Sequence, residues 1–303
     1  MNSLTDQINK WIREQLDSEC NVEQINQLPG STSAHLYDLT VSLDGKSENL
    51  VLRLFTLKEW LAKEPDLALH EARALQFARQ LPVPTPQLIA FDQEGSYCGT
   101  PAVLMTKLSG EVNLKPDNRN NWIEEQAKSL SQVHQLEAVR FPWNHFSYTD
   151  LNSAKVPRWT SFPELWEEAL QIVKGEKPKV RMCFIHRDYH PANLLWENGR
   201  ISGIVDWVNA CRGPAGADVG HCRVNLAMLY GVEEADRFLR CYRDYAGARF
   251  QYELYYDLLS LCDCILPGPP TVYSGWEAFG IQHLTDEMMR QRTDQYLFRL
   301  MKG

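Results

Sequence analysis

Apolar positions recur at helical spacing at the start of the chain. Leu4, Ile8, Trp11, Ile12 and Leu16 share one face of MNSLTDQINKWIREQL, which predicts an amphipathic helix. The period then shortens. Residues 21–55 read as three strands, separated by a Gly/Ser-rich turn in PGSTSAH and a turn at Asp44-Gly45. In the last strand, NLVLRLF, apolar side chains alternate around Arg53. Leu67, Leu69, Ala72, Leu75 and Ala78 restore helical spacing. After the proline-rich connection LPVPTPQLIAFD, the run TPAVLMTKLSG reads as a buried strand closed by a turn at Ser109-Gly110. Beyond Gly110 the pattern is mostly helical, through Ile123, Ala127, Leu130 and Val133, then PELWEEALQIVKG opened by Pro163, then from about Asp218 to the end. Between these helices lie an aromatic-rich loop region, FPWNHFSYTDLNSAKVPRWTSF, and the stretch CFIHRDYHPANLLWENGRISGIVDW, which reads as containing two short strands. The expected class is α+β, with a small sheet-containing first lobe and a larger α-rich second lobe.

A length of 303 residues allows one large domain or two lobes with a sizeable core. The net charge of −8 argues against nucleic acid as a partner, since phosphate recognition leaves a basic footprint. Eight scattered cysteines with no C-x-x-C spacing point away from a zinc cluster and towards reduced thiols in a cytoplasmic protein. No run approaches the ~18 apolar residues of a membrane helix, and the first helix is too charged for a signal peptide.

The chemistry concentrates in residues 183–207. Three hydrophobic pulses, CFI, NLLW and GIVDW, enclose His186, Asp188, His190, Asn193 and Asp206. Two carboxylates and an amide on a strand–loop–strand hairpin can converge on one small volume. Hard oxygen donors suit Mg²⁺ together with substrate phosphates, and one further carboxylate, free of metal, can accept a hydroxyl proton.

HRDYHPAN fits the H-R-D-x-x-x-x-N signature of kinase catalytic loops at His186, Arg187, Asp188 and Asn193, and IVDW stands where protein kinases place D-F-G. The surrounding text (HPANLLW, GIVDW, GPAGADVGHCRVNL, PVPTPQLIAFD) resembles the aminoglycoside phosphotransferase and choline kinase family over about residues 20 to 260. The resemblance implies a bilobal protein-kinase-like fold, with residues 1–104 as a nucleotide-binding lobe, 105–110 as a hinge and 111–303 as a catalytic and acceptor-binding lobe. It implies transfer of the γ-phosphate of ATP, or of GTP as the alternative donor, to a hydroxyl of a small molecule with the help of Mg²⁺. In that scheme Asp188 orients the hydroxyl and takes its proton, Asn193 and Asp206 hold Mg²⁺, Asp218 braces the catalytic loop, and His186 is a packing residue. Arg53 stands where most members carry lysine, though choline-kinase-like members also show arginine there, and Glu71 is its partner. Gly30, Ser31 and Thr32 form the phosphate-covering turn, which has a single glycine. Adenine meets backbone near Thr106 and Leu108, with Met105 lining its pocket. Acceptor-site candidates are Trp207, Glu253, Tyr256, Asp257 and Trp276, whose aromatic faces and carboxylates suit an amino-bearing hydroxyl compound. His134 and His190 read as structural. Two rival readings are a protein kinase, for which VDWVNACRGPAGAD leaves too little room for an activation segment, and a nucleotide-binding regulatory protein without turnover.

Overall fold

The computed structural model of the chain describes residues 4–16, 19–28, 33–43, 45–266 and 268–303. The chain divides into two compact units. One comprises Met1–Gly110 with Gly203–Asn209; the other comprises Glu111–Ser202 with Ala210–Gly303.

Among the described residues, the first unit carries a five-stranded antiparallel sheet. Its strands are β1 (Asn21–Gln27), β2 (His35–Leu43), β3 (Lys46–Leu54), β4 (Leu88–Asp92) and β5 (Ala102–Thr106), in the order β1-β2-β3-β5-β4. Leu43 pairs with Lys46 across the β2–β3 hairpin, and Gly45 at φ +73° provides the left-handed turn residue that a two-residue loop demands. Helix α1 (Leu4–Gln15) buries Ile8, Trp11 and Ile12 in a cluster with Leu39, Leu50, Leu52 and Leu104. That burial is the pull that holds an otherwise polar helix on the sheet. Towards its end β3 is covered on both faces, so Leu52, Arg53 and Leu54 are all buried. After the short α2 (Lys58–Lys63), α3 (Leu67–Ala78) buries Leu67, Ala68, Ala72 and Leu75, and with them Glu71. Residues 203–209 join this unit far along the chain: the Ile204 N–H donates to the Pro84 carbonyl at 3.0 Å.

The second unit is mainly helical: α4 (Arg119–Val133), α5 (Pro163–Lys174), α6 (Ala215–Tyr230), α7 (Val232–Ala246), α8 (Leu254–Ile265), α9 (Gly275–Ala278) and α10 (Asp286–Lys302). Side-chain caps start two of them. Asn118 accepts the Asn121 N–H at 3.1 Å and Thr285 accepts the Met288 N–H at 3.2 Å. Where two short strands were expected over residues 183–207 the structure has three, β7 (Met182–Ile185), β8 (Leu194–Glu197) and β9 (Arg200–Ile204), joined by β6 (Glu111–Val112) and β10 (Cys211–Pro214) from outside that stretch. β7 pairs with β10, and β6, β8 and β9 form a second small sheet. Each is too short for periodicity to reveal it. Helix α6 is buried nearly all round. Its Gly220 lets α8 approach so closely that an added Cβ would lie 2.6 Å from Ser260 Oγ and 2.7 Å from the Tyr256 carbonyl. No helix among the described residues is long and apolar enough to cross a membrane.

Candidate active site

The turn after β7 is almost entirely buried. Among residues 183–194, Asp188 alone keeps substantial exposure, with its side chain 30% accessible. Its two carboxylate oxygens are held separately. Oδ1 lies 3.1 Å from His221 Nε2 and 3.7 Å from His190 Nε2, while Oδ2 accepts from Asn193 Nδ2 at 3.3 Å. Asn193 also donates to the Asp188 carbonyl at 2.9 Å, so its amide nitrogen is committed to Asp188 and its oxygen remains to serve as a ligand. Burial alone would raise the Asp188 carboxyl. The positive potential of His190 and the hydrogen bond and charge of His221 outweigh it and hold the group well below the usual carboxylate range.

Asp218, in the first turn of α6, fixes this loop from beneath. Its carboxylate, with no exposure, accepts the His186 N–H at 2.8 Å and the Arg187 N–H at 2.6 Å and lies 3.0 Å from His134 Nε2. His134 Nδ1 is in turn 2.6 Å from the Tyr242 hydroxyl. The brace is needed because Arg187 has φ +67°, a conformation costly for any residue with a side chain. The Arg187 guanidinium lies 3.9 Å and 4.0 Å from the ring centres of Phe146 and Tyr148 and donates to the Phe146 carbonyl at 2.9 Å.

In the first unit, Arg53 of β3 meets two carboxylates through one nitrogen. Nη1 is 2.9 Å from Glu71 Oε1 and 2.8 Å from Asp206 Oδ1. Glu71 is almost wholly buried; burial pushes its carboxyl up, Arg53 pulls it down, Asp206 pushes it up again, and the group settles at about 7. Asp206 is 30% accessible and, like Arg187, sits at φ +67°.

The remaining sequence candidates fall into three groups. Gly30, Ser31 and Thr32 lie outside the described residues. Met105 is buried in β5 between β3 and β4. Thr106 donates its N–H to the Gln87 carbonyl at 2.9 Å, whereas the backbone of Leu108 makes no hydrogen bond among the described residues. Of the acceptor-site candidates, Trp207 is fully buried, with its indole N–H on the Ile204 carbonyl at 2.8 Å. Tyr256 is buried and donates to the Pro178 carbonyl at 3.2 Å, and Glu253 accepts from Gln251 just before α8. Asp257 is committed elsewhere: it is buried in an ion pair with Arg223 and accepts from the Tyr252 hydroxyl at 2.7 Å. A ligand could reach that carboxylate only by breaking a buried pair. Trp276 is buried but stands edge-on to the half-exposed Tyr273, which is itself edge-on to His190.

One participant, His221, escaped the sequence reading although it lies inside GPAGADVGHCRVNL. A lone histidine on a helix 33 positions from Asp188 gives no signal until the fold brings the two together. Burial opposes its protonation, but Cys264 and Asp188 together raise it well above the ordinary imidazole value.

Residues 25–251 match the model of the phosphotransferase enzyme family. An aminoglycoside 3′-phosphotransferase of Enterococcus faecalis is 22% identical over 255 residues, covering 78% of this chain and 86% of that protein. A macrolide 2′-phosphotransferase from Brachybacterium faecium, solved as the apoenzyme, superposes with a TM-score of 0.62 at 16% identity, covering 96% of this chain and 98% of that one. An amicoumacin kinase in complex with AMP-PNP, Ca²⁺ and Ami gives 0.59 at 14% identity, over 91% and 88% of the two chains. The structural likenesses establish the fold, and the family match covers well over half of the sequence. The chain belongs to the phosphotransferase enzyme family, the small-molecule kinases that include the aminoglycoside phosphotransferases.

Proposed function

We propose that this protein transfers the γ-phosphate of ATP to a hydroxyl of a small, amino-bearing molecule, with Asp188 as the residue that orients the hydroxyl and receives its proton. The observation that carries this reading is the treatment of Asp188. It is the one partly exposed side chain in a buried loop, with one oxygen turned by His221 and the other by Asn193. A carboxylate held this far on the ionised side is a weak base. That suits phosphoryl transfer through a loose transition state, where positioning the acceptor matters more than early proton abstraction.

Asn193 and Asp206 are the residues this reading assigns to a divalent cation. Their chemistry fits: the amide nitrogen of Asn193 is engaged with Asp188, leaving its oxygen, and Asp206 keeps one carboxylate oxygen beyond its contact with Arg53. Hard oxygen donors of this kind suit Mg²⁺, which when bound neutralises charge on the nucleotide phosphates. Arg53 offers a planar guanidinium to phosphate oxygens, held in place by Glu71. The Leu108 backbone offers its N–H and carbonyl to an adenine edge. The Tyr273–Trp276 pair beside His190 supports an acceptor with a cationic or apolar face.

The test is ADP release from ATP across a panel of aminoglycosides, macrolides, amino alcohols and plain sugars, for the wild type and Asp188→Ala. The reading expects release stimulated by at least one amino-bearing acceptor and abolished by the substitution. Nucleotide binding without acceptor-stimulated release across the panel would instead identify a regulatory nucleotide-binding protein.

A further inference from the structure

Cys264 lies in the last turn of α8 and is the exposed member of the cysteine set. Cys20, Cys98, Cys183, Cys211, Cys222 and Cys262 are buried, and Cys241 is half-buried. Its Sγ is 3.8 Å from His221 Nδ1, and the opposite ring nitrogen, Nε2, is 3.1 Å from Asp188 Oδ1. One imidazole therefore joins an accessible thiol to the carboxylate that the proposed function places at the reacting hydroxyl. We propose that His221 is a positioning residue for Asp188 and that Cys264 is a modification site for alkylating electrophiles, through which that positioning is switched off.

The chemistry follows from the contacts. With Nε2–H directed at Asp188 and Nδ1–H at the sulfur, the protonated imidazole stabilises the thiolate that forms when the thiol gives up its proton to solvent. The sulfur then attacks the electrophilic carbon; with iodoacetamide a C–S bond forms, the C–I bond breaks and iodide leaves. The imidazole is the group that promotes this, because the C-terminal end of a helix disfavours a nearby anion. The other thiols have no such help: burial pushes Cys98 up to about 11 and Cys183, Cys211 and Cys262 up to about 12. Alkylation replaces the thiolate that pairs with Nδ1 by a neutral, bulkier thioether at a 3.8 Å contact; the His221 ring is released from that side, and Asp188 Oδ1 loses its fixed donor.

The reactivity of the thiol stands on geometry alone, whereas its effect on turnover rests on the kinase reading of Asp188. Iodoacetamide labelling followed by peptide mass spectrometry, in parallel with acceptor-stimulated ADP release, separates the two. Cys264 is expected to label at least tenfold faster than Cys241, and His221→Ala to slow that labelling at least threefold. Labelled wild type is expected to lose at least tenfold in kcat at unchanged KM for ATP, while Cys264→Ser stays active and resists the reagent. His221→Ala is expected to lower kcat similarly without lowering the thermal midpoint. His221→Gln, whose amide replaces the Nε2 donor but not Nδ1, is expected to recover most of kcat while Cys264 stays slow to label. Equal labelling of Cys264 with and without His221, or full turnover after stoichiometric labelling, overturns the proposal. If the unlabelled wild type shows no acceptor-stimulated release, the kinase reading fails, and the effect of His221→Ala on labelling still decides for or against the thiol–imidazole pair.

Discussion

Replacing Asp218 by asparagine changes one atom in the buried brace of the loop that carries Asp188. Asp218 Oδ1 accepts from Arg187 N–H, and Oδ2 accepts from His186 N–H beside His134. Whichever way an asparagine amide is turned, its NH₂ faces a backbone N–H. The variant loses a hydrogen bond to a charged acceptor, about 1.5–3 kcal/mol, and leaves a buried donor unsatisfied, about 1–3 kcal/mol. A total of about 2.5–6 kcal/mol follows, a range that spans the cost of breaking a buried ion pair. At roughly 2–4 °C per kcal/mol for a unit of this size, the thermal midpoint should drop by about 10 °C. Arg187, released from the support of its φ of +67°, relaxes and carries Asp188 with it. A displacement of that kind costs on the order of 10²-fold in kcat. The pH dependence has a definite sign. Burial would raise Asp218, but its hydrogen bond to His134 and the charges around it win and hold its pKa below the ordinary 3.8. Its contribution is therefore complete above the unfolded-state value and lost as pH falls through the folded one. The stability gap between wild type and variant should be full above pH ~4 and narrow in more acid solution. Calorimetry across pH 3–7 with kcat at pH 7 measures both effects. A midpoint within about 2 °C of wild type together with unchanged kcat would mean that Asp218 does not hold the loop in place.

Three further outcomes are expected. Gly220→Ala should destabilise by about 1–3 kcal/mol in urea titration, because its Cβ would meet the Tyr256 carbonyl at 2.7 Å; a neutral result would mean that α6 and α8 are not packed this closely. Burial keeps the His145 imidazole neutral, lowering it to about 4, so its contribution is full above pH ~6.5 and is lost as pH falls from there towards 4; His145→Gln should flatten the urea midpoint across that window by about 1–2 kcal/mol, and an unchanged slope counts against the assignment. Arg53→Met leaves Glu71 and Asp206 without their cation; titration calorimetry should show ATP-analogue affinity reduced at least tenfold, and unaltered affinity would remove Arg53 from the nucleotide site.

The Asp188 loop was legible because its polar groups occupy eight contiguous positions, HRDYHPAN, between hydrophobic pulses. Five-residue spacing across a tight turn is enough to bring Asn193 onto Asp188. The α+β character was legible from the change of period near Gly110. The Asp218 brace and the Arg53–Glu71 pair came through the family resemblance, but other long-range partners were not legible. His221 touches Asp188 only because α6 passes behind the turn, and Asp257 reads as an acidic group among tyrosines until Arg223 is seen beside it. Gly216 and Gly220 carry no apolar signal, yet they set the distance between α6 and α8. The left-handed backbones of Arg187 and Asp206 contradict local propensity and are imposed by their surroundings.

The role of Asp188 is tested with the least disturbance of shape by the variant Asp188→Asn. Single-turnover transfer of labelled γ-phosphate to an acceptor found in the panel should be slowed by about 10²–10⁴-fold, while the dissociation constant for an ATP analogue stays within about threefold of wild type. Transfer at the wild-type rate by Asp188→Asn would contradict the account.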